Sequence, residues 1–344
     1  MKKTRFFASA AVFLALFGML FTPLKELVCR KSVTGAWDMT NKVGGFYNEP
    51  EDSFEVIFLG ASHTYAAFSP LRLWERTGVK SYVFATQRQP FWATYAYLTD
   101  ALKTQSPGLV VLDCRGFLEP SESYNEDGVT YSYMDDMPFS LNKARLAWVS
   151  ADTMEGRAEL LCNFIKYHER WTALTDTDYG FDRAALRDPL KGYVFLEKKK
   201  DEEFPRPVDA AAVTDCAPLD EKNEYWFRRI IELCKARGVE LWLLKTPCNL
   251  SAEEKALINS AARIAAEYGI PFDDFNERYD EIGLSPELFF DEHHMDARGA
   301  AKFTDLFAAE LVARYPTLRT DSGDAGWASE AAAFEADLRR LENR

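Results

Sequence analysis

The chain is expected to adopt an α/β fold, a central parallel sheet between two layers of helices in the flavodoxin-like manner. Short apolar, β-branched runs stop at glycine or a polar turn, and between them lie longer segments with apolar residues at helical spacing. The composition agrees: 344 residues, 47% hydrophobic and 28% charged, suffice for a sizeable core. Alternation of this kind implies strands that all run one way, with ligands held at their carboxyl ends.

The first residues precede that fold. Met1-Lys2-Lys3-Thr4-Arg5 is cationic, and Phe6 to Phe21 is apolar apart from Ser9 and Gly18. A cleaved signal peptide and an uncleaved anchor helix share this pattern. Phe21-Thr22-Pro23-Leu24-Lys25 offers no small-x-small cleavage site and no lipobox precedes Cys29, which favours the anchor over residues 1–24. The cationic end then stays in the cytoplasm, and everything after Leu24 lies outside. A buried amphipathic helix fits poorly, because the segment has no polar face. Residues 25–53 mix Lys, Gly, Asn, Pro and Asp without periodicity and are expected to form a juxtamembrane stalk.

The α/β domain is expected over residues 54–318. Phe54 to Leu59 is an apolar run ending at Gly60, a buried strand that stops at a tight turn. Ser69-Pro70 starts a short helix through Glu75, Tyr82 to Ala85 is a second strand, and Trp92 to Lys103 has helical spacing. Leu109 to Leu112, after the Pro107-Gly108 breaker, is a third strand. Residues 119–218 then interrupt the rhythm. This segment is aromatic and charged, lacks clear strands, is partly helical around Arg157 to Arg170, and reads as an insertion over the strand ends suited to substrate selection. Its run from Glu197 to Glu203 is more simply a solvated surface than a partner site.

The alternation resumes with a helix from Glu221 to Arg237, the Gly238 stop and a strand from Val239 to Leu244. A helix capped by Ser251 runs to Tyr268 and ends at Gly269, and Ile270 to Phe275 is a short strand. Ala297 to Arg314 is a further amphipathic helix. Residues 319–344 form a charged tail whose Ala-rich helix, Ser329 to Arg340, is expected to lie outside the core.

Composition also excludes. A formal net charge of -13, from 54 acidic and 41 basic side chains, means that the surface as a whole should repel nucleic acid and anionic lipid. The six cysteines form no CxxC pair, so thiolate zinc sites and thioredoxin chemistry have no support, and Cys114 and Cys234 sit in apolar contexts that suit small buried side chains. No glycine-rich phosphate loop is present.

Two constellations carry chemistry. In Phe58-Leu59-Gly60-Ala61-Ser62-His63-Thr64 a strand ends in glycine, and the serine that follows is presented at the sheet's carboxyl edge beside backbone N–H groups able to hold an oxyanion. The bland alternative is a strand-ending turn with Ser62 as a local cap. In Asp291-Glu292-His293-His294-Met295-Asp296, an aspartate three residues before a histidine can fold back onto Nδ1, leaving Nε2 free to take a proton from a hydroxyl. Asp296 stands where the following helix needs a cap. A solvated acidic loop and a metal site of Asp291, His293 and His294 compete with that assignment, although adjacent histidines converge poorly on one ion.

Taken together, Gly60-Ala61-Ser62-His63 near the start of the domain and Asp291-x-x-His294-Met295-Asp296-x-x-Gly299 near its end resemble the first and last sequence blocks of SGNH (GDSL-like) hydrolases. The closer resemblance is to their membrane-anchored members, the D-alanyl lipoteichoic acid transfer proteins and alginate O-acetyltransferase-like proteins, over roughly Phe54 to Arg314. In those groups the serine block reads Gly-Ser-Ser-His, with Ala61 here replacing the first Ser. The last block reads Asp-x-x-His-Leu-Asn-x-x-Gly, with Met295 and Asp296 at the Leu and Asn positions.

The resemblance implies Ser62 as nucleophile, His294 as base and Asp291 as its orienter, with His293 as the alternative base and no cofactor or metal. His63 is then expected to pack or hydrogen-bond beside the serine. The usual oxyanion glycine and Gly-x-Asn blocks are missing; after the second strand Gln89 is the candidate oxyanion donor or substrate contact, and after the third Arg115 either points into the site or, equally, makes a structural salt bridge. Implied too are an acylated glycan or cell-wall polymer as substrate and a membrane-bound O-acyltransferase as partner, with acyl transfer or ester hydrolysis as the reaction outside the cell membrane. A catalytically silent scaffold or glycan-binding protein of the same fold is the alternative, and the missing blocks favour it.

Overall fold

In the computed structural model, which describes residues 2–198 and 208–343, the apolar runs form one parallel sheet. Its strands are Val56–Gly60 (β1), Ser81–Ala85 (β2), Leu109–Asp113 (β3), Glu240–Lys245 (β4) and Phe272–Asp274 (β5), in the order β2-β1-β3-β4-β5. Register is tight: Ile57 faces Tyr82 on one side and Val110 on the other. The first three strands are buried along their whole length, as continuous apolar runs covered on both faces should be. From β1 the chain turns to β2 on one side and then to β3 on the other. This reversal leaves a crevice between the carboxyl ends of β1 and β3.

The helices are Lys2–Val28 (α1), Met39–Asn48 (α2), Ser62–Ala67 (α3), Pro70–Thr77 (α4) and Phe91–Thr104 (α5). After β3 come Asp127–Met134 (α6), Leu141–Ser150 (α7), Met154–Leu161 (α8), Asn163–Tyr167 (α9) and Asp176–Tyr179 (α10). Glu221–Arg237 (α11), Ala252–Tyr268 (α12), Tyr279–Ile282 (α13), Ala297–Arg314 (α14) and Ala325–Glu342 (α15) complete the set. Their ends obey local chemistry. Ser69 caps α4, Asp220 caps α11, a Ser251–Glu254 capping box starts α12, and Gly238 and Gly269 end α11 and α12 in the left-handed conformation. Aromatic side chains fill the space between sheet and helices: Phe58 stacks on Phe68 at 4.2 Å and Trp242 on Phe307 at 4.8 Å.

Residues 119–218 contain α6 to α10 and, among the described residues, no strand. Lys199 to Glu203 of the charged run lie outside the described residues. Two segments are more integrated than their composition suggests. The expected stalk carries α2, whose Phe46 stacks on Phe84 of β2 at 3.9 Å, and whose Lys42 pairs with the buried Asp188. Few apolar residues were needed, because each one lands on the sheet. The expected free tail is likewise docked: in α15, Trp327 packs on Trp74 of α4 and Phe334 on Tyr193, while Glu335 accepts a hydrogen bond from Arg72 at 2.6 Å.

α1 projects from this body. Arg5–Val28 spans 24 residues and is long and apolar enough to cross a membrane, its most apolar stretch lying outside the packed core.

Replacing Phe334, 2% exposed, with alanine tests the docking of α15. The expected loss is about 3–5 kcal/mol of unfolding free energy, measured by urea denaturation. A change within experimental error would mean that α15 is peripheral.

Candidate active site

The turn after β1 is built around Gly60, at φ 150°, where a Cβ would stand 2.0 Å from Thr64 Oγ1. Only glycine lets the strand end this close to the first turn of α3. Ser62 and His63 therefore occupy the first two positions of that helix, both buried, at the lip of the β1/β3 crevice. The hydrogen bonds of the turn begin with Thr64 N donating to Ala61 O at 3.0 Å. The N–H groups of Ser62 and His63 precede it and are left for a ligand. Tyr65, one helical turn on, brings its hydroxyl into polar contact with the side chains of Ser62 and Trp37, and burial pushes that phenol well above its ordinary range.

The second constellation folds as its spacing suggests. Phe290 N donates to His294 O at 2.8 Å and Phe289 pairs with Met295, closing a tight loop. Inside it, the Asp291 carboxylate accepts from the backbone N–H groups of His293 and His294 and from His294 Nδ1, each at 2.8 Å. Burial alone would raise the Asp291 pKa, but the bond from His294 and the two N–H groups outweigh it and hold the carboxyl below its ordinary value. His294 Nε2 is buried and has no hydrogen-bond partner among the described residues. Asp296 caps α14 through the N–H groups of Arg298 and Gly299. A Cβ on Gly299 would stand 2.5 Å from Leu288 O, so this glycine lets the loop lie against the helix.

The two constellations meet. The His294 ring lies edge-on to His63 at 5.3 Å, and His293 stacks on the other side of His63 at 6.0 Å. Ser62, Asp291 and His294 thus converge at one end of the sheet. The His293 ring stacks near-parallel on His63, and among the described residues no group of three or more His, Cys, Asp or Glu side chains is placed to hold a metal ion.

Beneath His63 lies a group that the sequence motifs did not reveal. Lys245, the last residue of β4 and fully buried, sets its Nζ 3.0 Å from His63 Nδ1 and donates to Thr246 O at 2.8 Å. Asp113, the last residue of β3, lies 3.6 Å from the same ammonium and accepts from Thr246 N and Oγ1, both at 2.8 Å, and from Arg115 N at 2.7 Å. Burial works against the charge on Lys245, yet Asp113 keeps its pKa raised. An ammonium can only donate. Nδ1 of His63 must then accept, which places its proton on Nε2 and keeps the imidazole neutral. Burial, with Lys245 next, drives the His63 pKa well below 6.5. The outcome is a neutral imidazole with a fixed N–H donor beside Ser62. A lysine closing the apolar run Leu241-Trp242-Leu243-Leu244 was the available signal, since a strand buried on both faces carries a charge only where a partner awaits it.

The other two oxyanion candidates are otherwise engaged. Gln89 is buried, with Oε1 accepting from Thr86 N and Oγ1 and Nε2 donating to Thr94 Oγ1, all at 3.0 Å. Its amide organises the turn after β2 instead of facing the serine. Arg115 pairs with Glu119, which also receives Arg88 at 2.6 Å, and its own Nε is buried without a partner. Arg88 holds φ 45°, the left-handed strain that marks a constrained turn. The clamp on Glu119 ties the segments after β2 and β3 together, so Arg115 acts on the site through its charge.

No family model matches the chain, and no curated protein matches it. Among solved structures it is similar to a gut microbial diltiazem-metabolizing enzyme, at 14% identity and a TM-score of 0.29 over 78% of this chain. The chain spans 49% of that protein's length. Likeness at this level carries no argument about chemistry.

The state of His63 has a measurable consequence. Its folded pKa is depressed, so below about 6.5 the unfolded chain takes up a proton that the folded chain refuses. Its contribution is complete above that pH and is lost as pH falls, by roughly 1.4 kcal/mol per pH unit. Urea denaturation at pH 7.5 and 5.5 should show this slope, and His63→Gln should flatten it. An equal slope in the variant would place the titrating group elsewhere.

Proposed function

We propose that this chain is a serine esterase or O-acyltransferase of the SGNH type, acting outside the cell membrane on an ester-bearing cell-envelope polysaccharide or polymer. The observation that carries the proposal is the buried, unpartnered Nε2 of His294, held by Asp291 beside the turn that bears Ser62. A general base with its orienter in place and its accepting nitrogen free is the arrangement that activates a serine hydroxyl.

In the proposed reaction Ser62 Oγ attacks the ester carbonyl carbon, and its proton passes to His294 Nε2. The negative oxygen of the tetrahedral intermediate is met by the N–H groups of Ser62 and His63 and by Nε2–H of His63. Collapse breaks the bond to the alcohol, which leaves with the proton from His294, and an acyl-serine remains. Water or a glycan hydroxyl then attacks that ester, giving its proton to His294 and restoring Ser62. A membrane-bound O-acyltransferase is the partner that would deliver acyl groups to such a site, and α1 would keep the two together.

A catalytically silent scaffold draws its support from the absence of a bond between Ser62 and His294. Such bonds are often long before substrate binds and tighten in the reacting complex, so the acyl-transfer reading is the stronger.

Fluorophosphonate labelling and p-nitrophenyl acetate turnover decide between them. Ser62→Ala should abolish both signals, and persistent labelling in that variant would place the nucleophile elsewhere. Asp291→Asn is expected to lower turnover by about 10⁴-fold, because His294 loses the acceptor that fixes its tautomer. His63→Gln should cost about 10²–10³-fold in kcat if its N–H meets the oxyanion; unchanged kcat would confine His63 to packing.

A further inference from the structure

The joint between α1 and the α/β domain is built unlike a tether. Arg170 donates to the last carbonyls of α1, Val28 O at 2.8 Å and Cys29 O at 2.6 Å, while Lys31 donates to Glu26 O at 2.6 Å and Leu27 O at 3.0 Å. One carboxylate, buried Asp178 of α10, receives both cations at 3.1 Å. Arg183 adds a bond to Glu26 at 2.8 Å. The orphan carbonyls of the helix end are thus satisfied partly by Lys31, just after α1, and partly by Arg170 of the insertion, and a hinge here would have to break several charge-assisted bonds at once.

That rigidity fixes the height of the insertion against a bilayer. The apolar segment Arg5–Val28, 24 residues at about 1.5 Å each, is about 36 Å long against about 30 Å of hydrocarbon. Phe21 lies inside it, one turn before Lys25, and its ring meets Phe164 of α9 at 5.2 Å. With α1 across a membrane, α9 stands at the hydrocarbon boundary. The neighbouring turn His168–Thr172 and α10 also pack on the end of α1, so they stand at headgroup depth. These three elements expose large side chains that nothing in the fold covers: Ile165 at 43%, Trp171 at 68% and Tyr179 at 70%. Tryptophan and tyrosine are the residues that interfacial headgroups accommodate best.

We infer that α9, the His168–Thr172 turn and α10 form a second membrane contact, a face that dips into the outer headgroup layer and presses the catalytic domain against the lipid surface. The inference rests on α1 being a membrane span. Continuity of this face with the span, through Phe21 and Phe164, is what selects a lipid surface over a protein partner. Trp37, which touches both Tyr65 and Phe290 at the site, follows Cys29 by eight residues, so chain length holds it within at most roughly 30 Å of the end of α1. The acyl acceptor or donor served by this site would accordingly be one held at the membrane surface.

The test uses the full chain in vesicles of phosphatidylethanolamine and phosphatidylglycerol with no other protein. Ile165→Cys and Trp171→Cys are labelled singly with an environment-sensitive fluorophore, in a background of Cys162→Ala and Cys216→Ser. Val312→Cys on α14 serves as the reference position, and unchanged thermal unfolding midpoints verify the fold of each variant. Labels at 165 and 171 should emit to the blue of the label at 312, be quenched by nitroxide carried near the lipid headgroup, and resist aqueous iodide. Iodide quenching as strong at 165 and 171 as at 312, in protein that resists alkaline carbonate extraction, would overturn the contact while leaving the anchor intact. Extraction by carbonate would instead overturn the anchor and the contact with it. Neither result bears on fluorophosphonate labelling of Ser62, so the catalytic proposal stands or falls separately.

Discussion

The buried carboxylate of Asp113 is the constraint on which the site depends. It closes β3, accepts both polar groups of Thr246 at the start of the segment after β4, caps the turn carrying Arg115 and faces the ammonium of Lys245. A charge taken out of water in this way is tolerable only when every lone pair finds a donor. Here Arg115 N–H comes from the turn after β3, while Thr246 and Lys245 come from the end of β4, so the requirement that Asp113 be satisfied also aligns the carboxyl ends of β3 and β4. Lys245, pinned by Asp113 and Thr246, then dictates how His63 holds its proton.

Electrostatics around the serine are therefore layered. At the bottom Lys245 pairs with Asp113, which holds the lysine's pKa up; above it is an imidazole kept neutral by burial and by that same cation; beside it is a second imidazole oriented by Asp291. Two histidines 5.3 Å apart thereby stand against different groups, one on the Lys245 ammonium and one on the Asp291 carboxylate. The loop from Phe289 to Met295 brings His294 to the sheet only because Asp296 and Gly299 fix the start of α14 against Leu288.

The peripheral segments serve the same end by different means. α2 and α15 each use a few aromatic contacts to pack against the domain, and Asp178 of the insertion gathers Lys31 and Arg170, the two cations that hold the end of α1. The consequence is that the edge bearing Ser62 and His294 is tied to the end of α1, with Trp37 bridging from the segment after α1 to Tyr65 and Phe290.

The sequence by itself determined the sheet, the helices that alternate with its strands and the local shape of the two constellations, because each is a local signal. Apolar runs of strand length, Ser and Asp caps, terminating glycines at 238 and 269, and an Asp291-x-x-His294 fold-back within one turn are all decided by neighbours along the chain. Tertiary structure decided what depends on partners far away in sequence. Gln89 stood where an oxyanion donor is expected, yet its amide is consumed by Thr86 and Thr94. The segment expected as a stalk became a packed helix because Phe46 found Phe84, and the charged tail became part of the core because Trp327 found Trp74. Lys245 and His63 are 182 positions apart, and only the parallel packing of β1, β3 and β4 brings one under the other. Their contact sets the protonation of the site, and a buried charge reveals its purpose only once its partner is in place.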